Sequence, residues 1–216
     1  FLIYKMTLIK DIINQNKRLS NISKIISDLS KETQIGAYLV GGCVRDLMLN
    51  PTEDAIDVDI MVEGDGIYFA EKLAQKINVP KIVPFKKFAT AKIPYNEFEI
   101  EVASARLETY EKSSRSPSQV VMSNIQDDLL RRDFTVNAMA VSLNEQNFGE
   151  FFDPFNGMED LRNKILKTPL DPDTTFSDDP LRMMRAAYFA SKLSLNIEKA
   201  CLESIKDKAE RISIVS

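Results

Sequence analysis

Apolar residues recur at three- and four-residue intervals in the first part of the chain: Leu8, Ile9, Ile12, Ile13, Leu19, Ile22, Ile25, Ile26 and Leu29. That spacing predicts one or two amphipathic helices over residues 1–34, with Ser20-Asn21 as a cap for the second and Gly36 as the stop. The period then shortens. An apolar run at 37–41 reads as a strand that enters Gly41-Gly42 and hands over to a helix-like segment from Val44 to Leu49. Residues 56–62 alternate as a second strand, apolar, Asp, apolar, Asp, apolar. After Gly64-Asp65-Gly66 a helix runs to Asn78 on a stripe of Phe69, Leu73 and Ile77, ended by Pro80. Strands are expected at 81–85, 87–94 and 97–105, with a turn at Pro94-Tyr95-Asn96. Residues 107–126 are polar and predict a mobile loop. A helix is expected to carry Asp133 and Asn137, a turn leads into a short helix at 151–161, and a last strand is expected at 164–168. Pro169, Pro172 and Asp171 to Thr175 mark a boundary, after which Ser177 caps a new helix and residues 197–216 form another. The pattern gives an α+β class: a small mixed sheet flanked by helices, then an all-helical segment. The expected division is 1–34 as an N-terminal helical segment, 35–168 as the principal domain and 169–216 as the helical region.

Composition narrows the chemistry. The chain has 216 residues, 44% hydrophobic and 28% charged, which suits a soluble globular protein of one or two domains. No apolar run is long enough to cross a bilayer, and Lys5, Lys10 and Asp11 break the apolar N-terminal stretch, so no secretory pattern is evident and a cytoplasmic setting is expected. Net charge is -4 with a pI of about 5.1, which argues mildly against a large electrostatic footprint for nucleic acid but leaves room for a local basic patch. Cys43 and Cys201 fit no zinc spacing and read as free thiols. There is no histidine. A Ser-His-Asp triad, a His general base and His metal ligands are excluded within this chain, so catalysis must rest on carboxylates, Arg, Lys and metal.

Against that background the strand at 56–62 matters most. Asp57 and Asp59 project from one face while Val58 and Ile60 turn into the core. Two adjacent carboxylates invite a hard divalent cation such as Mg²⁺; a solvated edge strand is the plain alternative. Upstream, Gly41 and Gly42 let backbone approach a ligand, the following helix start offers N–H groups to phosphate, and Arg45 adds a cation. Together the two elements suggest a nucleoside triphosphate with its metals. In the strand at 97–105, Glu97, Glu99 and Glu101 share a face, and any could supply a third carboxylate. Arg131-Arg132 suits a triphosphate or nucleic-acid backbone, and Asp133 with Asn137 can hold ribose hydroxyls; a surface charge cluster is the alternative. Asp179 and Arg182, three apart, pair an acceptor with a forked donor that can address a base edge, or simply make a capped helix with a salt bridge.

Gly41-Gly42-Cys43-Val44-Arg45-Asp46 followed by Asp57-Val58-Asp59 resembles the first motif of the tRNA nucleotidyltransferase/poly(A) polymerase family, in its bacterial, class II branch, part of the polymerase-β-like superfamily. Glu101-Val102-Ala103-Ser104-Ala105-Arg106, Arg131-Arg132-Asp133-Phe134-Thr135-Val136-Asn137-Ala138, Asp153-Pro154-Phe155-Asn156-Gly157 with Asp160-Leu161, and Asp178-Asp179-Pro180-Leu181-Arg182 with Arg185-Ala186 resemble further family motifs, in the family's order. The resemblance covers about 36–216. It implies template-independent transfer of CMP and AMP from CTP and ATP to the 3′ end of tRNA. Asp57, Asp59 and Glu101, with Glu99 as runner-up, would hold two metals, Mg²⁺, about 3.5–4 Å apart. Gly41, Gly42, Arg45 and Arg132 would meet the phosphates, Asp133 and Asn137 the ribose, and Asp179, Arg182 and Arg185 the incoming nucleotide. Three departures stand out: Asn156 replaces a glycine, Asp178 a glutamate, and Tyr188 an arginine of many members. Poly(A) synthesis, addition of C alone or A alone, and a nucleotide-binding fragment inactive without a tRNA-binding region are the alternatives. The family's helical neck would continue past Ser216 into body and tail, so a longer natural protein is expected, with exposed apolar surface at the neck.

Overall fold

The structure, a computed structural model, describes residues 2–50, 57–109 and 119–215. In chain order the elements are α1 (Leu2–Gln15), α2 (Leu19–Thr33), β1 (Ala37–Val40), α3 (Gly42–Leu49), β2 (Val58–Val62), α4 (Gly66–Lys76), β3 (Val83–Phe85), β4 (Thr90–Tyr95), β5 (Phe98–Ser104), β6 (Arg106–Thr109), β7 (Gln119–Met122), α5 (Ile125–Leu130), β8 (Ala140–Ser142), β9 (Phe151–Phe152), α6 (Gly157–Arg162), β10 (Ile165–Leu166), α7 (Pro172–Asp178), α8 (Leu181–Leu193), β11 (Asn196–Ile197) and α9 (Lys199–Lys208). They group into two compact units. No described helix is long and apolar enough to cross a membrane.

The first unit comprises Phe1–Ala105, Met122–Ile125 and Met139–Phe152. Its centre is a seven-stranded mixed sheet of order β3-β4-β5-β2-β1-β8-β9. Only β2 and β5 run parallel in it; the other pairs are antiparallel. Val58, Ile60, Ile100 and Val102 are fully buried, whereas Asp59 and Glu101, one position along, are half-buried on the opposite face. α2 and α4 pack on the sheet through Ile22, Ile26 and Leu29 and through Phe69, Ala70 and Leu73. The cap of α2 is not Ser20-Asn21. Asn16 Oδ1 accepts from the backbone N–H of Arg18 and Leu19, both at 3.1 Å, one turn earlier than expected.

α4 starts against β5. Asp65 caps it, accepting from Ile67 and Tyr68 N–H, and Gly66 N donates to Ser104 Oγ at 2.9 Å. A Cβ at Gly66 would meet only backbone, Ser104 N at 2.7 Å and Ala103 C and Ala89 O at 3.0 Å. Strand backbone cannot swing aside as a side chain can, so Gly66→Ala should cost about 2–3 kcal/mol by overpacking. Urea midpoints of the two proteins check this; equal midpoints would show that β5 shifts freely.

The second unit comprises Arg106–Val121, Gln126–Ala138 and Asp153–Ser216. Its core joins Phe134, Val136, Leu161, Leu166, Phe176, Met183, Ala186, Phe189, Leu195 and Cys201. A short parallel pair, β10 with β11, adds a strand at 196–197 that the sequence pattern did not suggest. Three other expectations are revised. Residues 106–109 and 119–122 pair as a two-stranded sheet instead of forming a loop; the remainder of the expected mobile loop, 110–118, lies outside the described residues. The helix expected around Asp133 is absent: α5 ends at Leu130 and only a single 3₁₀ turn, Thr135–Asn137, follows. The Asp-rich boundary at 171–175 is helical, because Pro172 at the first position with Asp171 as cap starts α7, and Ser177 falls inside it.

Candidate active site

In the first unit, Gly41 ends β1 with φ 68° and ψ -133°, a backbone state that glycine adopts without strain. Its N–H donates to Met139 O at 3.1 Å, which pins the turn, and no described side chain caps α3. The first N–H groups of α3 are therefore presented by a fixed glycine turn. Arg45 is buried, with its fork closed on Asp46 at 2.7 and 2.9 Å, and a Cβ at Gly42 would stand 3.4 Å from its guanidinium.

Asp57 is exposed just before β2, and Asp59 is its first outward-facing position. Asp59 and Glu101 are register partners on adjacent parallel strands, so their side chains leave the sheet on one face about 5 Å apart at the backbone. Glu99 faces the same way but lies two residues before the partner of Asp59, opposite Pro94 on β4, and Glu97 lies outside β5. Lys92, unremarked in the sequence reading, is the partner of Glu101 on β4. Its ammonium lies 2.6 Å from Glu99 Oε1 and 3.7 Å from Glu101 Oε2, and the Glu99 hydrogen bond raises its pKa. Among the described residues no group of three His, Cys, Asp or Glu side chains gathers to hold a metal ion. The donor set still suits one: all of it is carboxylate oxygen, Asp59 and Glu101 share a face, and a cation, the Lys92 ammonium, already sits against that face between Glu99 and Glu101. Cys43, buried beneath, has its thiol pKa pushed up by burial and by the charge of Asp59.

In the second unit Asp133 and Asn137 do come together, through the bend and not a helix. Asn137 Nδ2 donates to Asp133 Oδ1 at 3.0 Å, and Phe134 N–H donates to the same oxygen at 2.8 Å. Asp133 Oδ2 accepts from Arg185 Nε at 2.7 Å and Nη2 at 2.6 Å, and the Arg185 guanidinium rests over the Phe189 ring. Arg182 is buried and donates to the Arg131 carbonyl at 2.9 Å. The Asp179 carboxylate does not pair with the Arg182 guanidinium; its Oδ1 accepts from Leu181 N–H at 3.0 Å in the break between α7 and α8, and Arg182 meets Asp179 only through its backbone N–H, which donates to the Asp179 carbonyl at 3.0 Å. Arg132 donates from Nε and Nη2 to Asp128 Oδ2, at 3.1 and 2.8 Å, and Arg131 clamps Asp128 Oδ1. Asp128, spaced three and four from the two arginines, is the organising acid the sequence reading passed over. Asn156 takes the left-handed state its side chain tolerates, φ 58°, while Asp153 caps α6 and Asp160 ties Thr135 to Lys167.

The poly A polymerase head domain family matches residues 37–167. The chain belongs to this family. Among curated relatives it is 39% identical over 79% of its length to an A-adding tRNA nucleotidyltransferase of Aquifex aeolicus, of which it covers 20%. It is 37% identical over 83% of its length to a CCA-adding enzyme of Lactobacillus helveticus, of which it covers 43%. The chain thus spans from a fifth to under half of these two relatives. A Thermotoga maritima CCA-adding enzyme complexed with tRNA-CCA superposes with a TM-score of 0.77 at 31% identity, over 96% of this chain and 45% of that one. The α+β class with a central mixed sheet agrees with that likeness. Within the poly A polymerase head domain family match lie the glycine turn, the carboxylate strands and the Asp133–Asn137 bend; Asp179, Arg182 and Arg185 lie beyond it.

Proposed function

We propose that this chain performs template-independent nucleotidyl transfer, adding CMP and AMP from CTP and ATP to the 3′ end of tRNA in the cytoplasm. The observation that carries the reading is the pairing of Asp59 with Glu101 on adjacent parallel strands, with Asp57 exposed immediately before β2. The primer 3′-oxygen would attack the α-phosphorus, forming one P–O bond as the bond to pyrophosphate breaks. Asp57, Asp59 and Glu101 would hold Mg²⁺, which when bound makes the hydroxyl more acidic and neutralises triphosphate charge. Glu101 would exchange its Lys92 contact for that cation. Gly41, Gly42 and the α3 start would bind phosphate through backbone N–H groups. Arg45, already paired to Asp46, would add a fixed positive charge there, and Arg132 would use its Nη1 donors.

Asp133 and Asn137 would read the ribose, with Arg185 positioning Asp133. Asp179 and Arg182 would address the base edge. Residues 35–168 would act as the catalytic head, 169–216 as the opening of a helical neck, and 1–34 as its helical buttress. Addition of A alone is the second reading, favoured by the A-adding relative. An extension assay on tRNA lacking its 3′ end, with CTP, ATP or both, tests the proposal. Ordered growth that stops at CCA is the expected outcome. Growth with ATP only on tRNA ending in CC would establish the second reading, and long A tails would overturn both.

A further inference from the structure

We propose that the outer edge of the seven-stranded sheet, from Val83 to Phe88, binds unpaired RNA. The proposal rests on the nucleotidyl-transfer reading and adds to it a path for the RNA strand. Residues 72–96 hold Lys72, Lys76, Lys81, Lys86, Lys87 and Lys92 and no aspartate or glutamate, in a chain of net charge -4. Lys76 and Lys92 are paired to glutamates. Lys81, Lys86 and Lys87 are exposed and make no ion pair among the described residues. Between them Val83, Phe85 and Phe88 are 44%, 40% and 43% exposed, an unusual outlay of large apolar side chains. Exposed rings beside exposed ammonium groups, the Lys87 ammonium 5.7 Å from the centroid of the Phe88 ring, offer stacking for bases and charge for phosphates, the combination that holds single strands without reading sequence.

The register sets this edge on the carboxylate face. Val83 pairs with Lys92, Lys92 with Glu101 and Glu101 with Asp59, so all four project to one side. Three strand spacings separate Val83 from Asp59, roughly 14 Å. Phe85, two positions on, shares that face. A second copy added to the edge is disfavoured, because Pro84 removes an N–H from the middle of a three-residue strand and lysines flank it.

The test is direct binding, which needs no turnover. A fluorescein-labelled unpaired oligoadenylate is titrated with the wild type, with Lys86→Glu/Lys87→Glu and with Phe85→Ala/Phe88→Ala, and CTP binding is measured separately. All four side chains are exposed, so both variants keep the fold. Each variant should bind the RNA about tenfold more weakly, and the lysine variant should flatten the salt slope by about 1–2, with CTP binding unchanged. Equal RNA affinity across the three proteins, or no RNA binding by the wild type, would overturn the proposal. So would self-association of the wild type that Phe85→Ala/Phe88→Ala abolishes with RNA affinity unchanged. Absence of CTP binding by the wild type would count against the nucleotidyl-transfer reading and leave the RNA comparison to stand alone.

Discussion

Asp59→Ala should lower metal-dependent nucleotide incorporation by at least about a thousandfold, some 4 kcal/mol of transition-state stabilisation, with the fold unchanged. The expectation follows from its position. Asp59 stands across the sheet from Glu101 and two residues after Asp57, which precedes β2, so its loss removes the acid that lies next to both. The residues that hold β2 in place are Val58 and Ile60 on the other face, and they are untouched. Circular dichroism and thermal melting should therefore match the wild type. Glu101→Ala should share the loss, whereas Glu99→Ala, paired to Pro94 and bound to Lys92, should keep most of the activity. Full activity in Asp59→Ala would sink the carboxylate assignment, and equal losses at Glu99 and Glu101 would show that register does not select the third acid.

That choice between two glutamates shows where sequence reading stops. The alternation of residues 58–60 is local, so the outward turn of Asp59 between buried Val58 and Ile60 is legible from period alone. Which glutamate stands beside Asp59 is a property of strand pairing across some forty residues of sequence, and the pattern of β5 is the same two residues either way. Lys92 was invisible for the same reason: it matters only because β4 lies next to β5. The Asp133–Asn137 contact was anticipated through the wrong geometry. Four-residue spacing suggested a helix, but a bend and one 3₁₀ turn bring the side chains together, with Phe134 and Val136 driven into the core between them. Prolines misled at 169–175, where Pro172 begins a helix instead of preventing one. The glycine turn was legible because a positive φ leaves little choice of residue.

Asp128→Asn should destabilise the protein by about 3 kcal/mol at neutral pH. Asp128 is fully buried and accepts from both Arg131 and Arg132, whose side chains remain about a fifth exposed. Asparagine offers one acceptor and turns a donor toward two guanidinium groups; their partial access to water keeps the cost at the lower end for a broken buried pair. Burial pushes the Asp128 carboxyl upward, but Arg132 and Arg131 outweigh it and hold the pKa below the ordinary range. A carboxyl depressed in the folded state stabilises fully above its unfolded pKa of about 4, and that contribution is lost as pH falls through the lower folded value. The gap between wild type and variant, read from urea midpoints, should hold from pH 7 to 5 and shrink on further acidification; a gap constant down to the lowest pH would show that the carboxylate charge is not what stabilises. The same substitution bears on recognition. Arg131 presents its carbonyl to Arg182, so loosening its side chain frees the anchor of the arginine assigned to the base edge. CTP binding should weaken in Asp128→Asn although residue 128 itself carries no assigned contact with the nucleotide, which makes this acid a positioning residue whose two roles, stability and aim, are separable by measuring both.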